Sequence, residues 1–245
     1  MSEKIALVTG ASGGIGQAIA RRLAKDGFSL CLHYHKNEQA ARALADELNA
    51  QGVRAVALCA DLADEAQATA LIEECKKALG EIDVLVNNAG ISKQGLLTDL
   101  SADEWREMFG VHVDGAFYLS RAALPAMIRK KAGRIIQISS MWGISGGSCE
   151  VAYSAAKAAL IGFTKALAKE VGPSGIAVNC VAPGVIDTPM NAHLSADDLQ
   201  ALADETPLSR IGTPDEVANA VAFFAGDQSS FITGQVLAVD GGITV

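Results

Sequence analysis

Residues 5–27 read IALVTGASGGIGQAIARRLAKDG, and the way this stretch is punctuated decides the fold. Ile5-Ala-Leu-Val-Thr9 is a short apolar run of the kind that forms a buried strand. A glycine-rich turn follows, and then a helical segment to about Asp26 that Gly27 ends. Outward from here the same alternation repeats. Phe28–Tyr34 is a second strand, and Glu38–Ala50 a helix closed by Gly52. Val53–Leu58 and Ile82–Val86 are strand candidates on either side of a helical segment, Glu65–Leu79. Ser101-Ala-Asp-Glu104 is a capping box that opens the next helix. Arg134–Ser139 reads as a buried strand, and Ile176–Val181 and Gln235–Val239 supply the last two. Thr213-Pro-Asp-Glu216 joins a capping box to a proline at the first helical position. Strand–helix alternation from end to end predicts an α/β fold, a doubly wound parallel sheet with helices on both faces. No repeat or linker divides it, so residues 1–245 form one domain. Residues 191–209 interrupt the alternation; Ser195 is an N-cap there, and the segment reads as a lid over a site.

Composition fits this reading and excludes several others. Half the residues are hydrophobic but only 5% are aromatic, as in proteins whose strands are buried on both faces. A net charge of −8 argues against nucleic acid or an anionic membrane as partner. Five scattered cysteines without a CxxC predict reduced thiols, a cytoplasmic setting and no metal site. MSEKIALVTG has no basic region followed by an apolar one, so no signal peptide is expected, and no run is long enough to span a bilayer.

The chemistry concentrates in residues 140–157, SMWGISGGSCEVAYSAAK. Ser140 stands where a strand ends, and Tyr153 and Lys157 are i and i+4 near the start of a helix, on one face. Ligands of open α/β sheets bind at that edge. A free tyrosine titrates near pH ~10, and a nearby ammonium pulls that value down. Such a tyrosine exchanges a proton with a carbonyl oxygen while hydride reaches the carbon, and a serine hydroxyl fixes the oxygen. The first turn, Thr9–Gly16, is not a GxGxxG fingerprint. It still offers glycines at 10, 14 and 16 for close backbone approach and a helix N-terminus for a pyrophosphate.

These motifs together resemble the short-chain dehydrogenase/reductase family over almost the whole chain. TGASGGIG at 9–16 matches its TGxxxGxG turn, Asn87-Asn-Ala-Gly90 its NNAG, and Tyr153-Ser-Ala-Ala-Lys157 its YxxxK. Pro183-Gly184 with Thr188 matches PGxxxT, and Asp240-Gly-Gly its last strand exit. The resemblance implies a Rossmann-type sheet in which Tyr153 is the general acid/base. Lys157 would lower its pKa and hold the nicotinamide ribose, and Ser140 would orient the carbonyl. Gly10, Ser12, Gly14, Ile15 and Gly16 would surround the pyrophosphate, Asp61 would meet the adenine, and Asn88 the ribose. Pro183, Gly184, Ile186 and Thr188 would border the nicotinamide. Asp61 also reads as a strand cap. Where most members carry asparagine, this chain has His112, which either titrates in the working range or only props its helix.

An NAD site would carry an acid about twenty residues past the glycine turn. Here the second strand ends His33-Tyr-His-Lys36-Asn37, and Lys36 suits the 2′-phosphate of NADPH, with His33 and His35 as alternatives. Within the family the chain is most similar to 3-oxoacyl-[acyl-carrier-protein] reductases of fatty acid biosynthesis, through segments such as RIIQISS and ITGQVLAVDGG. Carrier protein is acidic, and Arg129-Lys-Lys131 with Arg134 forms a basic patch that either receives it or is an ordinary solvated helix end. Ser148-Cys-Glu-Val151 departs from those reductases and, with Met141-Trp-Gly143, looks like the subgroup that reduces a 5-aminopentanone group on elongation factor P. Glu150 would then face a substrate ammonium, or else cap a helix. Relatives imply a homotetramer, and the apolar C-terminus fits burial there. A catalytically silent nucleotide-binding scaffold on the same fold is the reading of a different class.

Overall fold

The computed structural model describes residues 4–191 and 195–245. β1 (Lys4–Val8) leads through the glycine turn into α1 (Gly14–Lys25), followed by β2 (Phe28–Tyr34), α2 (Glu38–Ala50), β3 (Ala55–Cys59), α3 (Glu65–Ala78) and β4 (Val84–Asn87). The second half runs α4 (Ala102–Phe109), α5 (Gly115–Lys130), β5 (Gly133–Ile138), the single turn α6 (Trp142–Ser145) and α7 (Val151–Val171). β6 (Ile176–Pro183), α8 (Ala196–Glu205), α9 (Pro214–Ala225) and β7 (Val236–Val239) complete it. The strands form one parallel sheet in the order β3-β2-β1-β4-β5-β6-β7. The chain winds outward from β1 to β3, then returns to place β4 on the other side of β1. The crevice between the C-terminal ends of β1 and β4 is therefore the switch point at which such sheets bind ligands.

The two-residue period of the strands builds two cores, one on each face of the sheet. Ala6, Val8, Leu30, Leu32, Val86 and Ile136 pack with Ile19 and Leu23 of α1, Leu44 of α2 and Val217 and Val221 of α9. Their neighbours Ile5, Leu7, Cys31, Leu85 and Ile135 face the other way, against Leu71 of α3, Leu119 and Met127 of α5 and Leu167 of α7. All five cysteines are free thiols. Among the described residues no helix is long and apolar enough to cross a membrane.

The expected elements are present, with displaced edges. Val53 belongs to the turn after α2, where its amide bonds the Leu48 carbonyl, so β3 starts at Ala55. β6 extends two residues past Val181, to Pro183. The helix opened by Ser101 does not run through: residues 110–114 form a π turn between α4 and α5, a geometry that helices often carry at functional sites. Ser195 does cap α8, its hydroxyl accepting from the Asp198 amide at 3.1 Å, while residues 192–194 of the expected lid lie outside the described residues.

Leu85, fully buried in β4 beside the switch point, tests how much this core carries. Leu85→Ala is expected to cost about 2–5 kcal/mol of stability and lower the urea midpoint accordingly. Leu237→Ala, at a 40% exposed position on β7, should stay within about 0.5 kcal/mol of the parent.

Candidate active site

The switch point is stitched by hydrogen bonds between the exits of β1 and β4. The Thr9 hydroxyl accepts from the amides of Asn88 at 2.8 Å and Ala89 at 2.9 Å, and donates to the Val86 carbonyl at 3.2 Å. The Asn88 side chain donates to the Thr9 carbonyl at 2.8 Å and, more weakly, to that of Gly10 at 3.4 Å. Asn88, expected at a ribose, thus spends its amide on bracing the glycine turn. Gly10 takes a φ of +64°, a left-handed conformation that a side chain would strain. A Cβ there would also lie 2.9 Å from the Ala89 backbone.

The N-terminus of α1 suits an anion. Asn37, Asp64, Ser101 and Ser195 cap α2, α3, α4 and α8 with side-chain oxygens. At α1 the N-cap is Gly13, no side chain caps the helix, and no acid lies in its first turn. Its partial positive charge is left to a ligand. Thr188 closes the opposite wall, its Cγ2 3.1 Å from where a Cβ on Gly14 would stand. Ile186, buried, bridges to Gly212, and the end of β6 at Pro183 receives the Met141 amide at 2.8 Å. Gly184 packs directly on Asp240 of the last strand exit. Lys36 and His35 are exposed beyond β2, and His35 Nε2 stands 4.0 Å from the Asp61 carboxylate. Asp61 also accepts from the Ala63 amide at 3.0 Å, so it does cap its turn. These residues fit a dinucleotide: uncapped amides for the diphosphate, and Lys36 for a further phosphate at the adenosine end.

Ser140, Tyr153 and Lys157 come together at the C-terminal end of β5. The Ser140 oxygen accepts from the Trp142 amide at 3.2 Å, and the serine hydroxyl acts to lower the Tyr153 phenol. Lys157, buried, donates to the Ile138 carbonyl at 2.8 Å, and its ammonium lies 5.4 Å from the centre of the Tyr153 ring. The expected lowering of the tyrosine does not occur in this arrangement. Burial pushes Tyr153 up to about 12, the Ser140 hydroxyl opposes this, and the Glu150 charge adds to the rise. Burial also brings Lys157 down to about 8. For both groups desolvation on burial is the leading cause of the shift. The result is a phenol that stays protonated at neutral pH, which is the form a proton donor needs.

His112 sits in the π turn with its ring edge-on to Tyr153, centroids 5.6 Å apart. Its Nε2 lies 2.8 Å from the Ile91 carbonyl and 3.1 Å from the Ile91 amide. Burial, with the Lys157 charge behind it, holds the imidazole well below its usual range. Of the two expectations for His112, burial works against titration in the working range, and propping is what its contacts describe. Gly90 is required here because a Cβ on it would overlap the imidazole carbon.

Glu150 is 7% exposed and immediately precedes α7, where its side chain makes no capping bond. Glu150 is nonetheless the N-cap residue of α7, at the end of the helix that favours an acid, and its charge also acts to raise the Tyr153 phenol. The basic patch is also corrected. Arg129 pairs with Glu81 at 2.9 Å and Lys130 with Asp83 at 3.1 Å. Arg134 lies at the start of β5, roughly 20 Å of strand from the Ser140 end. Two of its four cations are paired with carboxylates, and the patch lies at the opposite end of β5 from the site. His33, an alternative to Lys36 for the phosphate, is 2% exposed, and its imidazole accepts from the Gly10 amide at 3.1 Å. Its burial excludes it as a phosphate ligand, and the only signal of its contact with the turn was a polar residue inside an apolar strand.

A family model described as Enoyl-(Acyl carrier protein) reductase matches residues 10–244. The chain is 46% identical over 240 residues to an uncharacterized oxidoreductase, YmfI, of Bacillus subtilis (strain 168), covering 98% of each. It is 44% identical to the 3-oxoacyl-[acyl-carrier-protein] reductase FabG of Escherichia coli (strain K12), covering 98% of this chain and 97% of that one. A blue fluorescent protein from a metagenomic library, solved in complex with NADPH, superposes with a TM-score of 0.93 at 40% identity, covering 99% and 98%. The chain belongs to the short-chain dehydrogenase/reductase family and is an oxidoreductase. Within that family it is similar over its full length to FabG reductases.

Two outcomes follow from this geometry. Lys157 carries its charge below about pH 8 and loses it above. Ketone-reduction kcat/KM should therefore show a descending limb near that pH; a profile flat to pH ~10 would contradict the assignment. Gly90→Ala should displace His112 and cost about 1–3 kcal/mol. Adding His112→Asn, which is smaller, should recover part of the loss in a double-mutant cycle of melting temperatures and turnover.

Proposed function

We propose that this protein reduces a ketone to a secondary alcohol with NADPH, and that its substrate carries a cationic end of the 5-aminopentanone type on elongation factor P. Residues 10–16, Lys36, Asp61, Lys157 and residues 183–188 would hold NADPH, which when bound would supply the hydride. Tyr153 donates the proton to the carbonyl oxygen, and Ser140, oriented by the Trp142 amide, hydrogen-bonds the same oxygen. The Lys157 ammonium, whose charge lies near the ring, stabilises the phenolate that remains when the proton leaves. Helix α8 acts as the lid.

The observation that carries the substrate reading is the buried Glu150 carboxylate, one turn ahead of Tyr153 and close enough to raise its pKa. A carboxylate in such a place favours an ammonium and disfavours an uncharged acyl chain. α8 adds Asp197 and Asp198 in its first turn and no basic residue in its last, which suits an acidic carrier protein poorly. The second reading, reduction of a 3-oxoacyl thioester on acyl carrier protein, is favoured by the full-length likeness to the FabG reductases. In both readings the partner is a protein-borne ketone, the setting is cytoplasmic and the assembly a homotetramer.

NADPH oxidation separates the two. With a 5-amino-2-ketone or modified elongation factor P, Glu150→Gln should lower kcat/KM by on the order of tenfold or more, as for loss of a charge-assisted bond. With an acetoacetyl thioester it should change little. Efficient thioester turnover with neither reaction sensitive to Glu150→Gln would reverse the order of the readings.

A further inference from the structure

We propose that His33 is a positioning residue for the cofactor, a neutral imidazole that sets the register of the phosphate-binding turn. This rests on the reading of that turn as the NADPH diphosphate site. His33 lies near the end of β2 and receives two successive amides of the turn. Gly10 N–H donates to its Nδ1 at 3.1 Å, and Ala11 N–H donates to its main-chain carbonyl at 2.9 Å. Because Nδ1 accepts, the ring proton is on Nε2, which lies 3.0 Å from the Ala60 carbonyl and donates to it. The Ala60 amide in turn donates to the Tyr34 carbonyl at 3.1 Å. One side chain thereby ties the exit of β1 to β2 and to the exit of β3, immediately before Asp61.

The requirement for this contact is local. Gly10 is in the left-handed conformation, so its amide points back into the protein, where a donor needs an acceptor. A leucine at 33 would leave that donor and the Ala60 carbonyl unsatisfied. A charged histidine would lose the acceptor, and burial opposes this by holding the ring down to about 4, the Ala60 carbonyl and the Asp61 charge acting the other way. With residues 9–11 fixed from the β4 side by Thr9 and Asn88, and from the β2 side by His33, the amides at the start of α1 are presented in one geometry.

The two nitrogens can be tested separately, because asparagine places its oxygen near Nδ1 and glutamine places its amide near Nε2. Calorimetric titration with NADPH is expected to give His33→Asn an affinity within about threefold of the parent. His33→Gln and His33→Leu should weaken binding on the order of tenfold, the effect of one unsatisfied buried donor. Turnover at saturating NADPH should change less than the Michaelis constant for NADPH. Equal affinities for the Asn and Gln variants, or a fall in turnover with unchanged NADPH affinity, would overturn the role. Absence of NADPH binding by the parent protein would instead remove the cofactor reading on which it stands.

Discussion

Three residues of backbone, Thr9 to Ala11, must be held still between two strand exits, and the rest of the structure depends on that hold. Thr9 and Asn88 clasp this segment from β4, and His33 from β2. A parallel sheet leaves a crevice wherever its winding reverses, but a crevice alone binds nothing specific. Specificity needs amides in fixed directions, and a glycine turn would otherwise be the loosest part of the chain. The buried hydrogen bonds on both sides turn that loose segment into a rigid one. On the other wall, β6 is long enough to bring Thr188 back over Gly14.

The second theme is burial acting on charge. Tyr153 and Lys157 are carried into the protein by α7, whose inner face packs on α4 and β5 residues. Desolvation raises the phenol and lowers the ammonium, so each moves toward its neutral form. A protonated phenol with Ser140 beside it is arranged to give a proton to a carbonyl oxygen. Glu150 strengthens the same bias by opposing a second negative charge nearby. A cationic substrate end against Glu150 would relieve that opposition as the phenolate forms, which links substrate charge to the proton-transfer step.

Much of this was legible in the chain itself. Apolar runs, glycine stops and capping boxes gave the order of strands and helices, because these signals are local. Ser140, Tyr153 and Lys157 were recognisable because their spacing places them on one strand exit and one helix face. What could not be read depends on long-range packing. His33 reads as an alternative phosphate ligand in the sequence, whereas in the fold its nitrogen accepts from the Gly10 amide. The π turn around His112 breaks what reads as one continuous helix. The pairing of Arg129 and Lys130 within the basic run 129–134 could not be read because their partners Glu81 and Asp83 lie nearly fifty residues away in sequence. The direction of the Tyr153 shift turned on how deeply the pair is buried, which spacing does not report.

The central claim is that Tyr153 supplies the proton and does little to hold the cofactor. The direct measurement is a comparison of Tyr153→Phe with the parent protein, by NADPH titration and by single-turnover oxidation of NADPH with a ketone. The account predicts an NADPH dissociation constant within about threefold of the parent and a hydride-transfer rate reduced by on the order of 10²-fold or more. A variant that keeps most of the parent's single-turnover rate would contradict it.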